Sequence, residues 1–77
     1  MNAENNIVGQ RIASARGFSR MRQEEVGKAI GVSVQTVSNW ENGRREPNAA
    51  KIRELCLLFE CTADYLLGIT DSFNSHL

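Results

Sequence analysis

Apolar residues recur at helical spacing in five stretches of this 77-residue chain, and nowhere do they alternate as along a half-buried strand. Val8, Ile12 and Ala15 mark a first helix from about Ile7 to Phe18, with Asn5 or Asn6 as its cap. Val26 and Ile30 place a second over Gln23 to Ile30. Val37 and Trp40 place a third over about Val34 to Asn42, which Gly43 ends. The run Arg44-Arg45-Glu46-Pro47 is a loop, because the residue before a proline is pushed to extended geometry. Asn48 caps a fourth helix with Ile52, Leu55, Cys56 and Phe59 along one face. Thr62 caps a short fifth carrying Leu66 and Leu67 before Gly68. Ile69 to Leu77 reads as a loose tail and residues 1–6 as a flexible lead-in. The pattern predicts one all-α, five-helix domain over residues 7–68.

The stretch from Gln23 to Trp40 has the further pattern of two helices crossing at a tight turn. Val26 and Ile30 face inward, Gly27 leaves no side chain at the crossing, and Gly31 supplies the positive φ that ends the second helix. Ser33 caps the third helix, and Val37 and Trp40 hold it against the core. Val34, Gln35, Ser38 and Asn39 are left on its outer face. This is the pattern of a helix-turn-helix whose second helix enters the major groove of DNA.

Composition sharpens this reading. The length predicts a single domain near the lower limit for a stable core, with no room for a catalytic domain. The longest apolar run, Leu55 to Phe59, is far short of the roughly 20 residues a bilayer requires. The opening Met1-Asn2-Ala3-Glu4 has no basic and apolar leader, so a soluble, cytoplasmic protein is expected. Cys56 and Cys61 suit neither a metal site nor a bridge and read as buried, reduced thiols. Nine basic and nine acidic residues give zero net charge, but the distribution is uneven. Residues 1–53 hold all nine Lys and Arg against five Glu, a net +4, and residues 54–77 carry Glu54, Glu60, Asp64 and Asp71 alone, a net −4. A molecule so polarised presents its first four helices to phosphate.

From Val8 to Gly68 the chain resembles the phage-repressor and Cro (lambda-repressor-like) family. The resemblance rests on Val8-Gly9-x-Arg11-Ile12-x-x-Ala15-Arg16, Gln23-Glu24-Glu25-Val26, Gly31-Val32-Ser33-x-x-Thr36-Val37-Ser38-x-Trp40-Glu41-Asn42-Gly43-x-Arg45-x-Pro47 and Ala63-Asp64-Tyr65-Leu66-Leu67-Gly68. It implies a five-helix fold that binds operator DNA as a dimer, and a partly buried salt bridge between Arg16 and Glu41. The chain departs from the family pattern at several positions. Arg22 stands where a Ser or Thr usually caps the second helix, a change worth about 1 kcal/mol. Arg20 stands where a glycine usually turns the chain out of the first helix, and Glu60 at the usual glycine position after the fourth, where a left-handed backbone costs a non-glycine residue roughly 1 kcal/mol. Ala15 replaces a larger core residue, so Phe18 or Trp40 must fill the space or leave a small cavity.

Gln35 and Asn39, four apart, carry amides suited to adenine N6 and N7, and the Val34 methyls suit a thymine methyl. Ser38 completes the base-contacting set. Gln23 opens the second helix, where its amide and free backbone N–H groups suit a phosphate, and the resemblance puts a phosphate clamp there. Asn42, Arg44 and Arg45 are expected to hold the backbone across the groove, with Ser33, Thr36 and Arg22 as further phosphate contacts. No Lys or Arg lies within the third helix, so flanking groups must supply the electrostatic affinity.

One such domain reads few base pairs, which predicts a homodimer on a palindromic operator with half-sites roughly 34 Å apart. Leu57, Tyr65, Ile69 and Phe73 are the expected apolar interface, centred on the fifth helix. The leading function is a small transcriptional regulator of phage or prophage-repressor type. The rival is an antitoxin or other module whose main partner is a protein. An enzyme is not expected: His76 lies in the tail, no nucleophile and base are paired, and no cluster suits a metal or cofactor.

Overall fold

The computed structural model describes residues 6–74, so residues 1–5 and 75–77, with the alternative cap Asn5 and the tail's His76, lie outside it. The described chain folds as α1 (Ile7–Phe18), α2 (Gln23–Ile30), α3 (Val34–Glu41), α4 (Ala49–Phe59) and α5 (Ala63–Leu66), with no strand among the described residues. α3 ends one residue earlier than expected, with Asn42 as its C-cap.

Four helices begin for the same reason. The side chains of Asn6, Ser33, Asn48 and Thr62 accept hydrogen bonds from the backbone N–H of Gly9, Thr36, Lys51 and Tyr65 respectively. Each satisfies a donor that the helix itself leaves free. α2 is the exception, since the Arg22 guanidinium has nothing to accept with. The Glu25 carboxylate instead accepts the Arg22 N–H at 2.7 Å, the other half of a capping box.

The inward stripes meet in one core. Ile12, Ala15, Val26, Val37, Leu55 and Leu66 are fully buried, and Trp40, Phe59 and Tyr65 close around them. Phe18 does not fill the space beside Ala15, because it is 69% exposed and meets Phe73 edge-on at 5.5 Å. Trp40 belongs to the buried cluster with Ala15. Cys56 and Cys61 are free thiols, half-buried and buried. Burial pushes both thiols up, Cys61 to about 12 with the neighbouring Cys56 adding to the effect, so each stays protonated at neutral pH.

Two expectations at the C-terminal end are corrected. Residues 69–74 carry no regular helix, yet they are held against the domain. Arg11 donates to the Thr70 carbonyl at 2.9 Å, pairs with Asp71 at 2.6 Å and sits 4.5 Å from the centre of the Tyr65 ring. The Thr62 N–H donates to Phe73 O, and Asn74 Nδ2 donates to Glu60 O. The second correction follows from the first. Tyr65 is only 5% exposed and does not supply the apolar surface assigned to it, and Phe73, packed on it at 5.1 Å and against the core, is half-buried. Leu57 and Ile69 remain exposed.

Glu60 takes φ of +58°, the left-handed backbone anticipated there, and Arg20 takes one as well, at φ +57°. The Glu60 carboxylate makes no hydrogen bond or ion pair with a described residue that would offset the strain. Glu60→Gly should therefore raise stability by up to about 1 kcal/mol, some 5 °C in melting temperature for a domain this small. A thermal melt that moved downward would place the favourable contribution in the glutamate side chain.

Candidate nucleic-acid interface

The geometry of α2 and α3 is fixed at their turn. Gly31 ends α2 at φ +76°, and the Val32 N–H donates back to Gly27 O at 2.9 Å. A Cβ on Gly27 would lie 2.6 Å from Val32 O, so glycine is needed where the turn folds over α2. The close approach is to the turn's backbone and not to a side chain of α3. Val37 and Trp40 are buried, which turns the opposite face of α3 outward.

That face carries the four residues expected to read bases. Val34 is 49% exposed, Gln35 is exposed, and Ser38 and Asn39 are half-buried. Gln35 Nε2 donates to Asn39 Oδ1 at 3.1 Å, so the two amides form one connected surface, each with donors and acceptors unspent. Asn42 Nδ2 donates to Ser38 Oγ at 3.3 Å, linking the helix end to the same row.

Cations flank the row on both sides, and on one of them helix N-termini add backbone donors. On one side, Arg16, Arg22, Gln23, Glu24 and Val34 line an open cleft of about 480 Å³ at the N-termini of α2 and α3. Arg22 is well exposed there, 3.8 and 3.7 Å from Glu24 and Glu25. On the other side, Arg44 and Arg45 follow the Gly43 turn, their N–H groups both directed to Asn39 O. Both side chains are exposed and make no ion pair with a described residue. The other cations expected to face phosphate are partly committed elsewhere. Arg11 holds the tail, and Lys51 donates to Ile30 O and pairs with Glu54. Ser33 and Thr36 are also engaged, since the Thr36 N–H and hydroxyl both meet Ser33 Oγ, at 3.1 and 3.0 Å.

Beneath this surface lies the expected ion pair. Arg16 Nε donates to Glu41 Oε2 at 2.7 Å and Arg16 Nη2 to Oε1 at 3.0 Å, a two-point contact with Glu41 only 8% exposed. Arg16 Nη1 also donates to Met21 O at 2.9 Å. The hydrogen bonds that Arg16 donates to the Glu41 carboxylate raise the Arg16 pKa above its ordinary value. Sequence reasoning missed two partners of this network. Gln23 Nε2 donates to Glu41 Oε1 at 3.0 Å, and Asn6 Nδ2 donates to the Glu41 carbonyl at 2.8 Å. Neither pairing has a local signal, because the partners are 18 and 35 residues apart.

Residues 12–66, most of this all-helical arrangement, match the Helix-turn-helix family. The chain belongs to that family. It is 38% identical over 61 residues to Repressor protein C2 of Salmonella phage P22, a match covering 79% of this chain and 28% of that protein. It is 30% identical over 67 residues to the HTH-type transcriptional regulator DicA of Escherichia coli (strain K12), covering 87% of this chain and 50% of the relative. Thus it spans only a quarter to a half of these two proteins. A shorter relative, the uncharacterized HTH-type transcriptional regulator YazB of Bacillus subtilis (strain 168), is 36% identical over 63 residues and 91% covered. Among solved structures, the P22 c2 repressor in complex with synthetic operator 9T superposes with a TM-score of 0.75 at 38% identity, covering 79% of this chain and 92% of that one.

Proposed function

We propose that this helix-turn-helix domain binds double-stranded DNA sequence-specifically, as a homodimeric transcriptional regulator of the phage-repressor type. The observation that carries the reading is the exposed, linked amide pair Gln35 and Asn39, flanked by the Arg22–Gln23 cleft and by Arg44 and Arg45. Gln35 and Asn39 read bases, Val34 meets a thymine methyl, and Ser38 contacts a base edge. Gln23, Arg22, Asn42, Arg44 and Arg45 hold the two phosphate backbones, with Ser33 and Thr36 as minor contacts. No enzymatic step is assigned to the chain. No helix among the described residues is long and apolar enough to cross a membrane, and a DNA-binding regulator places the protein in the cytoplasm.

A second copy completes the reading. Pro47, Ala49, Ile52, Arg53, Cys56 and Leu67 line an apolar groove of about 510 Å³ between the start of α4 and the end of α5. Exposed Glu46 adjoins Pro47, exposed Asp64 follows the groove residue Ala63, and Arg53 makes no ion pair with a described residue. A face carrying both an unpaired cation and carboxylates is self-complementary across a two-fold axis. Leu67, 45% exposed, takes the central place in this interface, with Ile69 beside it.

Selection of bound sequences from a randomised duplex library tests the reading. An inverted repeat with half-sites roughly 34 Å apart is expected, with affinity falling about tenfold on Gln35→Ala. Retention without sequence enrichment would defeat it. Leu67→Glu should leave the domain folded, give a monomer in sedimentation and remove cooperative occupancy of the repeat. Arg44→Ala and Arg45→Ala should each lower the slope of log K against log salt by about 0.9, the change expected when one fewer phosphate is neutralised.

A further inference from the structure

We infer that Glu41 is a positioning residue for DNA: it holds the Gln23 amide so that one N–H remains directed to a backbone phosphate. The inference rests on the DNA-binding reading above. Glu41 itself is buried under the cleft and is not placed to touch the duplex. Its two carboxylate oxygens are fixed by Arg16 from α1, and Oε1 also accepts from Gln23 Nε2 at 3.0 Å. An amide can be turned end for end, and the carboxylate decides which way. With the amide reversed, Gln23 Oε1 would face Glu41 Oε1, two acceptors with no proton between them. The charge therefore selects the orientation in which nitrogen points at Glu41. Nε2 carries two hydrogens, and the carboxylate engages one.

The second hydrogen, the Arg22 side chain and the free N–H groups opening α2 share the same cleft with Val34 of α3. A phosphate there accepts from an amide that is already oriented, so little rotamer freedom is lost on binding. The same carboxylate is bound by Arg16 from α1 and carried by the last turn of α3. The phosphate contact is thus set in register with the base-reading helix by one buried group.

A double-mutant cycle tests the inference with a mixed-sequence 30-base-pair duplex at low salt, since a phosphate contact needs no particular sequence. Glu41→Gln should weaken binding about five- to tenfold in the Gln23 background, and less than twofold once Gln23→Ala is present. Equal weakening in both backgrounds would assign Glu41 to the fold alone and overturn the inference. Failure of the unsubstituted protein to bind any duplex would overturn the DNA-binding reading beneath it.

The unsubstituted protein gives a second test that does not depend on a variant folding. The two Gln23 side-chain amide protons should be well separated by NMR, one protected from exchange by Glu41. Only the other should shift when duplex is added. Equal exchange rates for the two protons, or a shift confined to the protected one, would refute the orientation.

Discussion

Glu41→Ala should destabilise the domain by about 3–5 kcal/mol, enough to leave much of it unfolded at 37 °C. The expectation comes from what is left behind. Arg16, whose side chain is only 24% exposed with its partner in place, would keep its guanidinium beside a cavity where that two-point partner stood, with only the Met21 carbonyl accepting from it. The loss of an attractive pair is the smaller contribution; the uncompensated, partly desolvated charge is the larger. Gln23 would lose its acceptor in the same step. Small domains bury a modest fraction of their surface and have little stability in reserve, so the transition should be visible by circular dichroism without denaturant. A paired replacement, Arg16→Met with Glu41→Leu, should recover much of the stability, because it removes both charges and refills the volume. It should not recover duplex binding at temperatures where the domain is folded. If Glu41→Ala melted within a few degrees of the unsubstituted protein, the ion pair would have no structural weight.

What was legible in the sequence is what local physics determines. The caps Ser33, Asn48 and Thr62 and the left-handed Gly31 act within a few residues of themselves, and the structure places each as anticipated. The burial of Ile12, Val26, Val37 and Leu55 followed from helical spacing for the same reason. The strained turn at Glu60 was legible only through the family resemblance, and the one at Arg20 was not read, since neither residue type announces a positive φ. The C-terminal end was misread where the answer depends on a distant partner. Tyr65 and Phe73 look like spare apolar surface until Arg11, about 60 residues before the tail, folds that tail onto the domain. Distant partners also alter which of the counted charges are free. Counting Lys and Arg by segment predicts a basic face, and within it Arg11 and Lys51 are bound to carboxylates and carbonyls. Arg44 and Arg45, exposed and without an ion pair to a described residue, are thus among the cations left to supply the electrostatic affinity proposed above.

Gly9→Ala and Gly17→Ala, the same methyl added eight residues apart on α1, should have opposite effects. At Gly17 a Cβ meets nothing within 4 Å, and the only consequence is the gain in helix propensity, about 0.5–1 kcal/mol of added stability. At Gly9 the new carbon would press against the Trp40 carbonyl oxygen and the Asn6 side-chain amide. Neither can yield cheaply. Trp40 O belongs to the last turn of α3, and Asn6 is tied at both ends, accepting from the Gly9 N–H and donating to the Glu41 carbonyl. Relief requires α1 to move away from α3, so the cost should reach about 3 kcal/mol, the upper range for overpacking a well-filled site. The same movement separates Arg16 on α1 from Glu41 on α3, and with it the support for Gln23. Duplex affinity should then fall further than the unfolded fraction alone explains, whereas Gly17→Ala should leave affinity unchanged. Equal melting temperatures for the two variants would mean that α1 and α3 are not in rigid contact, and that α3 is held by the α2–α3 turn alone.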